Sequence, residues 1–285
     1  MVIQELSDSM DWNKTNTILI TAFIILNVFL FTSSHSMTNS EYNPKIDNEF
    51  AQIVESILHE KNIKISTDIP DESFVLPVLE TEYEIIQVNT KLLERFLNEK
   101  IEPLEDVYTY SNSRGETLEI IDGKKLRLTL RNKVHNKLNG ELNIEKEIDN
   151  LLKEKNINAD GYVEDYRHIS ENDSLYVYTQ KHDDYSVDNS YMYFFADNEG
   201  IYKFEMQRIT SVTEITEKVR TIHAIEALPR ILTYPEIKNK EIAKIEIAYY
   251  SVEDDNWQNI ERINSDPTWK VIFTDGTQKH LPGID

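Results

Sequence analysis

The sequence predicts an α+β protein: an N-terminal transmembrane helix, then antiparallel sheets with packed helices. Three observations point there. One stretch, Thr15–Ser34, runs 20 residues without a charge. Downstream, alternating β-branched and aromatic runs are separated by turn pairs such as Asp122-Gly123 and Asp275-Gly276, a hairpin signature. Amphipathic helical stretches interrupt these runs irregularly, whereas a doubly wound fold would alternate strand, helix and strand.

The transmembrane helix is assigned to residues 12–34, after an N-terminal segment 1–11. Within it, Ile18–Phe31 is almost wholly apolar, and 20 residues at 1.5 Å rise cover about 30 Å, the thickness of bilayer hydrocarbon. Trp12 and Lys14 stand where interfacial anchors belong, and His35–Pro44 has no Lys or Arg. That bias places the N-terminus in the cytoplasm and the rest of the chain outside. The rival reading is a cleaved signal peptide, although the apolar region exceeds the usual length and no A-x-A site follows.

Residues 35–45 read as a polar linker. An amphipathic helix follows, with Ile46, Phe50, Val54, Ile57 and Leu58 on one face. Strands are expected at Ile63–Ser66 and Tyr83–Val88, and a helix at Thr90–Lys100 with Leu92, Leu93, Phe96 and Leu97 inward. Glu105–Tyr110, Thr117–Ile121 and Lys125–Leu130 read as strands. A second set begins with a helix over Leu142–Asn156, carrying Ile144, Ile148, Leu151 and Leu152 on one face. Strands follow at Gly161–Ile169, Ser174–Gln180, Ser190–Ala196 and Ile201–Thr210, then a helix over Thr216–Leu232 interrupted by Pro229. Strands Ile242–Ser251 and Trp269–Thr274 close the chain. Val54–Ile63 and Ile148–Ile157 agree at five of ten positions, which suggests two related exported halves, 35–140 and 141–285; a chain this rich in Ile, Lys, Asn and Glu also offers chance agreement.

Composition excludes several functions. The 285 residues carry 30 Lys+Arg against 51 Asp+Glu, a net charge of −21, which argues against nucleic acid because phosphate recognition needs basic side chains. Residues 35–285 hold 29 of the basic and 48 of the acidic groups, so the exported part is the acidic one. Zero Cys removes disulfides, thiolate metal sites and a Cys nucleophile. Seven glycines, none in a phosphate-loop spacing, leave no nucleotide cradle. No pair of the seven histidines has metal-ligand spacing, so no metal or cofactor is expected. His182 beside Asp183 is the best isolated acid–base candidate, with an exposed loop histidine as its plain alternative. A catalytic carboxylate pair needs only spatial proximity and is open to any acidic chain. The tyrosines Tyr162, Tyr166, Tyr176, Tyr178, Tyr191 and Tyr193 fall in strand alternation, which favours sheet packing over a substrate platform.

In the membrane helix Asn27 is a polar residue with reason to seek a partner, since an interhelical amide hydrogen bond contributes roughly 1 kcal/mol in lipid. Thr17, Ile20, Ile24, Asn27 and Phe31 form one stripe and a candidate contact face. The alternative is an Asn27 that meets water near the outer interface.

The run Met10-Asp-Trp-Asn-Lys-Thr-Asn-Thr-Ile18, leading into Phe23–Leu30, resembles the start of YycI (WalI) proteins, single-pass membrane regulators of Gram-positive bacteria. That family begins at an M-D-W-x-K-T run, so residues 1–9 stand as an extension or an upstream start. Ala248-Tyr249-Tyr250-Ser251 is similar to the family's G-Y-Y strand, and Pro267-Thr-Trp-Lys-Val271 to its P-x-W-[RK]-V segment. The ending after Gly276, TQKHLPGID, departs from the family's tyrosine-rich terminus. The resemblance implies a non-catalytic regulator that associates with the WalK (YycG) sensor histidine kinase and with YycH, through membrane helices and exported domains related to those of YycH. Its readout would be cell-wall metabolism. The alternatives from other classes are an anchored wall hydrolase using paired carboxylates, or a module that binds a protease or wall polymer.

Overall fold

The computed structural model describes residues 48–131, 137–138, 141–252 and 261–284, which belong to one unit, Lys45–Asp285. The segment 12–34 expected to cross the membrane, with Trp12, Lys14, Thr17, Ile20, Ile24, Asn27 and Phe31, lies outside the described residues.

The first helix, α1 (Asn48–Glu60), buries Val54 and Leu58 but leaves Phe50, Ile53 and Ile57 exposed. The buried stripe is therefore narrower than the periodicity predicts. One i,i+4 row faces the protein, and the apolar residues beside it face solvent. Helix α2 (Thr90–Leu97) is capped by Asn89, whose Oδ1 accepts the Leu92 N–H at 2.9 Å, and it buries Leu93, Phe96 and Leu97. Helix α3 (Ile144–Glu154) is capped in the same way by Asn143 and buries Ile148 and Leu151.

The shared segments of α1 and α3 have a local physical cause. Asn62 and Asn156 both adopt left-handed backbone, φ 56 and φ 49. In each helix the asparagine N–H returns to the carbonyl three residues back, His59 or Lys153. The following Ile63 or Ile157 N–H reaches five back, to Leu58 or Leu152, at 3.0 and 2.8 Å. This is the Schellman stop, with isoleucine as its hydrophobic lock. The repeated Lys-Asn-Ile thus encodes one way of ending a helix.

Strands β1 (Lys64–Ile65) and β2 (Val75–Tyr83) precede α2. The predicted strand at 83–88 is thus displaced upstream: the ladder holds 75–83 and admits Pro77, which is opposite Lys218 beside a bulge, where a missing N–H costs little. β3 (Thr109–Ser111) covers only the end of its predicted run, while β4 (Thr117–Ile121) and β5 (Lys125–Thr129) match theirs. Three residues, Asp122–Lys124, join the paired Ile121 and Lys125, and the turn uses positive φ at both Asp122 and Gly123, with the Lys124 N–H donating to the Ile121 carbonyl at 3.1 Å. A short ribbon, β6 (Lys137–Leu138) with β7 (Glu141–Leu142), stands apart before α3.

After α3 come β8 (Tyr162–Ile169), β9 (Asp173–His182), β10 (Tyr185–Asp197), β11 (Gly200–Gln207) and β12 (Ile209–Arg220). The expected helix from Thr216 is overturned: 216–220 finish β12, and only α4 (Ala224–Ala227) and a 3-10 turn (Leu228–Thr233) are helical. Its run Ile-Thr-Ser-Val-Thr-Glu-Ile-Thr is β-branched at most positions, which favours extended backbone, and Pro229 sits in the first turn of the 3-10 segment. β13 (Glu241–Tyr250), β14 (Arg262–Phe273) and β15 (Gln278–Pro282) end the chain.

Among the described residues thirteen strands form one sheet, with the central path β12-β2-β14-β13-β10-β11-β5-β4-β3. Most pairs are antiparallel, but β1 and the start of β10 run parallel to β13, so the sheet is mixed. Two main apolar clusters form. One joins α2, α3, β3–β5, β9, β11 and the second half of β10 around Phe96, Phe194 and Phe204. The other joins α1, α4, the 3-10 turn and β13–β15 around Trp269, Val271 and Phe273. Each draws residues from both sides of position 140.

Candidate functional site

The two clusters meet where β10 changes neighbours. Residues 185–187 pair with β9 and, in part, with β13; residues 191–197 pair with β9 and β11. Between them Val187 is opposite Gln180 and Tyr191 is opposite Thr179, so Asp188, Asn189 and Ser190 bulge out of the β9 ladder. All three are buried. Buried polar groups must find partners, and these find them on neighbouring segments. Asn189 Nδ2 donates to the Ser251 carbonyl at 3.0 Å and its Oδ1 accepts the Ser251 N–H at 2.7 Å. The Asn189 carbonyl accepts from Gln207 Nε2 at 2.9 Å. Ser190 Oγ lies 2.7 Å from the Tyr162 hydroxyl, donates to Gln180 Oε1 at 2.9 Å and accepts the Ile209 N–H at 3.2 Å.

Asp188 enters a charged group built on β14. Alternation there sends Trp269, Val271 and Phe273 into the second apolar cluster and Lys270 to the other face. Lys270 is opposite Glu246 on β13 and His280 on β15, so the three form a row across the sheet. The Lys270 side chain is fully buried, and its ammonium bonds Asp165 and, at 2.9 Å, Asp188 Oδ2; Glu246 Oε1 is 4.0 Å away. His280 Nε2 is 2.6 Å from Asp188 Oδ2, and its ring stacks on Tyr250 at 3.9 Å. A second bulge, between Glu164 and Tyr166 in β8, delivers Asp165. The Tyr166 ring lies 5.9 Å from the ammonium, and its hydroxyl donates to the Gly276 carbonyl at 3.1 Å.

Burial raises the Asp165 carboxyl against the pull of Lys270. Burial would raise Asp188 as well, but Lys270 and His280 together hold it well below the usual carboxylate range. For Lys270 burial acts downward, and the two aspartates outweigh it, raising the ammonium above its ordinary value. The paired carboxylates thus converge on a lysine with side chains 4% and 1% exposed, and their chemistry is that of a brace across strands β8, β10, β14 and β15.

A cavity of about 520 Å³ is lined by Asn98, Arg114, Glu116, Glu147, Glu154 and Lys155 among others. Both of its cations are already committed: Arg114 to Glu116 at 2.8 Å and Lys155 to Glu154 at 2.9 Å. His182, the acid–base candidate of the sequence, ends β9 with its Nε2 3.2 Å from Glu214 Oε1 on β12, and Asp183 completes a group of three with it. The tyrosine series takes its sheet positions: Tyr176 is buried in the first cluster with Tyr162 and Tyr178 against it, and Tyr191 stacks on Tyr193 at 4.2 Å. Asp165, Asp188 and His280 escaped sequence reasoning. The one available signal was Lys270, a lone charge in the apolar run Trp269–Phe273. Among the described residues no helix is long and apolar enough to cross a membrane.

A family profile described as YycI protein matches residues 42–281. No curated protein matches the chain. Solved structures similar to it include YycH from Bacillus subtilis, at 11% identity and TM-score 0.48, covering 74% of this chain and 53% of that one. An uncharacterized protein from Eubacterium rectale matches at 10% identity and TM-score 0.39, over 77% of this chain and 84% of that one. The C-terminal domain of Bacillus megaterium YpeB matches at 9% identity and TM-score 0.30, over 84% and 99%. The chain spans about half the length of the YycH structure.

Proposed function

The chain belongs to the YycI family, and from that premise we propose that it is a membrane-anchored accessory regulator of a WalK (YycG)-type sensor histidine kinase, acting with a YycH-type protein on cell-wall metabolism. The observation that carries this reading is the family match over residues 42–281. In this reading residues 12–34 span the cell membrane once, with residues 1–11 in the cytoplasm and the sheet outside. The stripe Thr17, Ile20, Ile24, Asn27 and Phe31 packs beside the kinase's membrane helices, and Trp12 and Lys14 fix its depth. Binding shifts the kinase between states it already samples, because a partner acts only through its differential affinity for them.

Two features of the described residues support binding over chemistry. The converging carboxylates Asp165 and Asp188 are sealed on Lys270, with side chains 4% and 1% exposed. Helix α1, the first described element after the proposed anchor, presents Phe50, Ile53 and Ile57 to solvent as an apolar row at helical spacing. We assign this row to the exported contact with the partner proteins. Replacing residues 12–34 by an unrelated membrane helix is expected to weaken co-purification with the kinase, and Ile53→Asp with Ile57→Asp to weaken it further. Unchanged co-purification and signalling in both variants would overturn the contact assignments. Degradation of peptidoglycan by the purified protein, abolished by one Asp or Glu substitution, would instead establish the hydrolase reading.

A further inference from the structure

The cavity of about 520 Å³ is assembled from three separate stretches of chain, and its volume falls within the roughly 300–1,000 Å³ of small-molecule sites. Asn98 ends α2, Arg114 and Glu116 lie in the connection from β3 to β4, Glu147 and Glu154 are on α3, and Lys155 ends that helix. Asn98 Nδ2 donates to Glu154 Oε1 at 3.0 Å, which ties the two helix ends together. Glu116 and Lys155 are buried, whereas Asn98, Arg114 and Glu154 are exposed. The cavity thus has a charged floor and a rim open to solvent.

A second observation concerns the two floor charges, whose bonding capacity the protein leaves unfilled. The Lys155 side chain is 2% exposed, and of its three N–H donors one bonds Glu154 Oε1 at 2.9 Å. Among the described residues the other two meet no acceptor. The Glu116 side chain is 6% exposed. Its Oε2 accepts from Asn112 Nδ2 at 2.6 Å and from the Arg114 guanidinium at 2.8 Å, while among the described residues Oε1 receives no donor. Asn112 also donates to the Leu97 carbonyl at the end of α2, at 2.7 Å, so Glu116 is held in place rather than left to turn outward. Buried charges short of partners are costly, and a molecule that offers an acceptor to Lys155 and a donor to Glu116 removes that cost.

We propose that this cavity binds a dibasic amino acid, free or as a residue of a short peptide, with its carboxylate on the Lys155 ammonium and an amino group on Glu116 Oε1. The lining selects that class. A simple anion would leave Glu116 unmet, and a simple cation would leave Lys155 unmet. Arg114 and Lys155 stand against Glu116, Glu147 and Glu154, an excess of one negative charge that a second ammonium balances. Helices α2 and α3 both end at the cavity, and their last carbonyls add partial negative charge of the same sign. Leu130, Leu151 and Ile201 supply an apolar wall for the aliphatic stem between the charges. A bound molecule joins α2, α3 and the connection from β3 to β4. The site is independent of the kinase assignment.

The test is calorimetric titration of the full-length protein in detergent with L-lysine and with L-alanyl-L-lysine. L-norleucine, which lacks the second ammonium, and cadaverine, which lacks the carboxylate, serve as comparisons. One equivalent of L-lysine or of the dipeptide is expected to bind saturably, and both comparison compounds at least about tenfold more weakly. Glu116→Gln removes the floor charge while keeping an oxygen for Asn112, and Asn150→Trp, at an exposed lining position on α3, obstructs the space. Each, checked for an unchanged melting curve, is expected to weaken binding at least about tenfold. Lys155→Met is expected to erase the preference for L-lysine over cadaverine. Absence of saturable binding by both probes would overturn the proposal. So would equal affinity for L-lysine, L-norleucine and cadaverine, or equal affinity in the parent, Glu116→Gln and Asn150→Trp proteins.

Discussion

The opening strand residues of β10 separate two groupings that each set an imidazole among carboxylates. At the turn, His182, Asp183 and Glu214 meet with side chains up to 48% exposed for Glu214; a few residues on, His280, Asp188 and Asp165 meet around Lys270 with almost no exposure. Burial separates their chemistry. In the sealed group each charge is compensated by another, and removing one leaves the rest stranded. In the open group water screens the pair, which contributes little to stability. An imidazole among carboxylates is therefore part of a sealed brace in one place, where a lysine completes it, and a solvent-screened surface group in the other.

The sharpest way to break this comparison is Lys270→Met. It strands Asp165 and Asp188 in the interior, and the expected loss is about 3–5 kcal/mol in urea unfolding. Adding Asp165→Asn and Asp188→Asn to that variant is expected to restore much of the loss. A Lys270→Met protein as stable as the parent would show that the group is not a brace.

Asp188→Asn is expected to cost less, about 1–3 kcal/mol near neutral pH, because a hydrogen-bonded charge is replaced by an amide. Its pH dependence has a definite sign. Asp188 is held below the ordinary carboxylate range in the folded chain, so the unfolded chain takes up the proton first as pH falls. The stabilisation is fully present above about pH 4, the unfolded value, and is lost progressively below it. The gap between parent and Asp188→Asn melting temperatures should therefore narrow in acid. Lys270 gives the opposite limb. Its raised ammonium contributes fully below about pH 10.4 and loses its contribution as pH climbs beyond, so parent stability should hold from pH 5 to 10 and fall above.

Asn189→Ala removes the two hydrogen bonds to Ser251 at the junction of the clusters and is expected to cost about 1–3 kcal/mol, read in the same unfolding assay. The smallest effect belongs to the open group: His182→Ala should change stability by less than about 1 kcal/mol. A larger loss there would erase the distinction between the two groupings.

The local devices were legible and the long-range ones were not. Asp122-Gly123 announced a hairpin because both residues tolerate positive φ, and the inward faces of α2 and α3 followed from spacing. β12 was misread because its Thr, Glu and Lys residues allow either period and burial, which decides, is slight along it. The placement of β2 was lost to Pro77, which argues against a strand until a bulge excuses it. Asp165 and Asp188 each sit in a bulge, and a bulge shifts the two-residue alternation on which strand reading depends. His182 was noticed but Glu214 was not, since 32 residues of chain separate them and only the fold of β12 against the hairpin joins them. Lys270 fell within the Pro267–Val271 segment that carries the family resemblance but received no role there, and its aspartate partners became visible only in three dimensions.

The most direct test of the regulatory account is capture of the full-length chain from its native membrane in mild detergent, followed by mass identification of what comes with it. The account predicts a sensor histidine kinase and a YycH-type protein, both reduced when residues 12–34 are replaced by an unrelated membrane helix. Recovery without any kinase, from membranes where the kinase is present and intact, would contradict it.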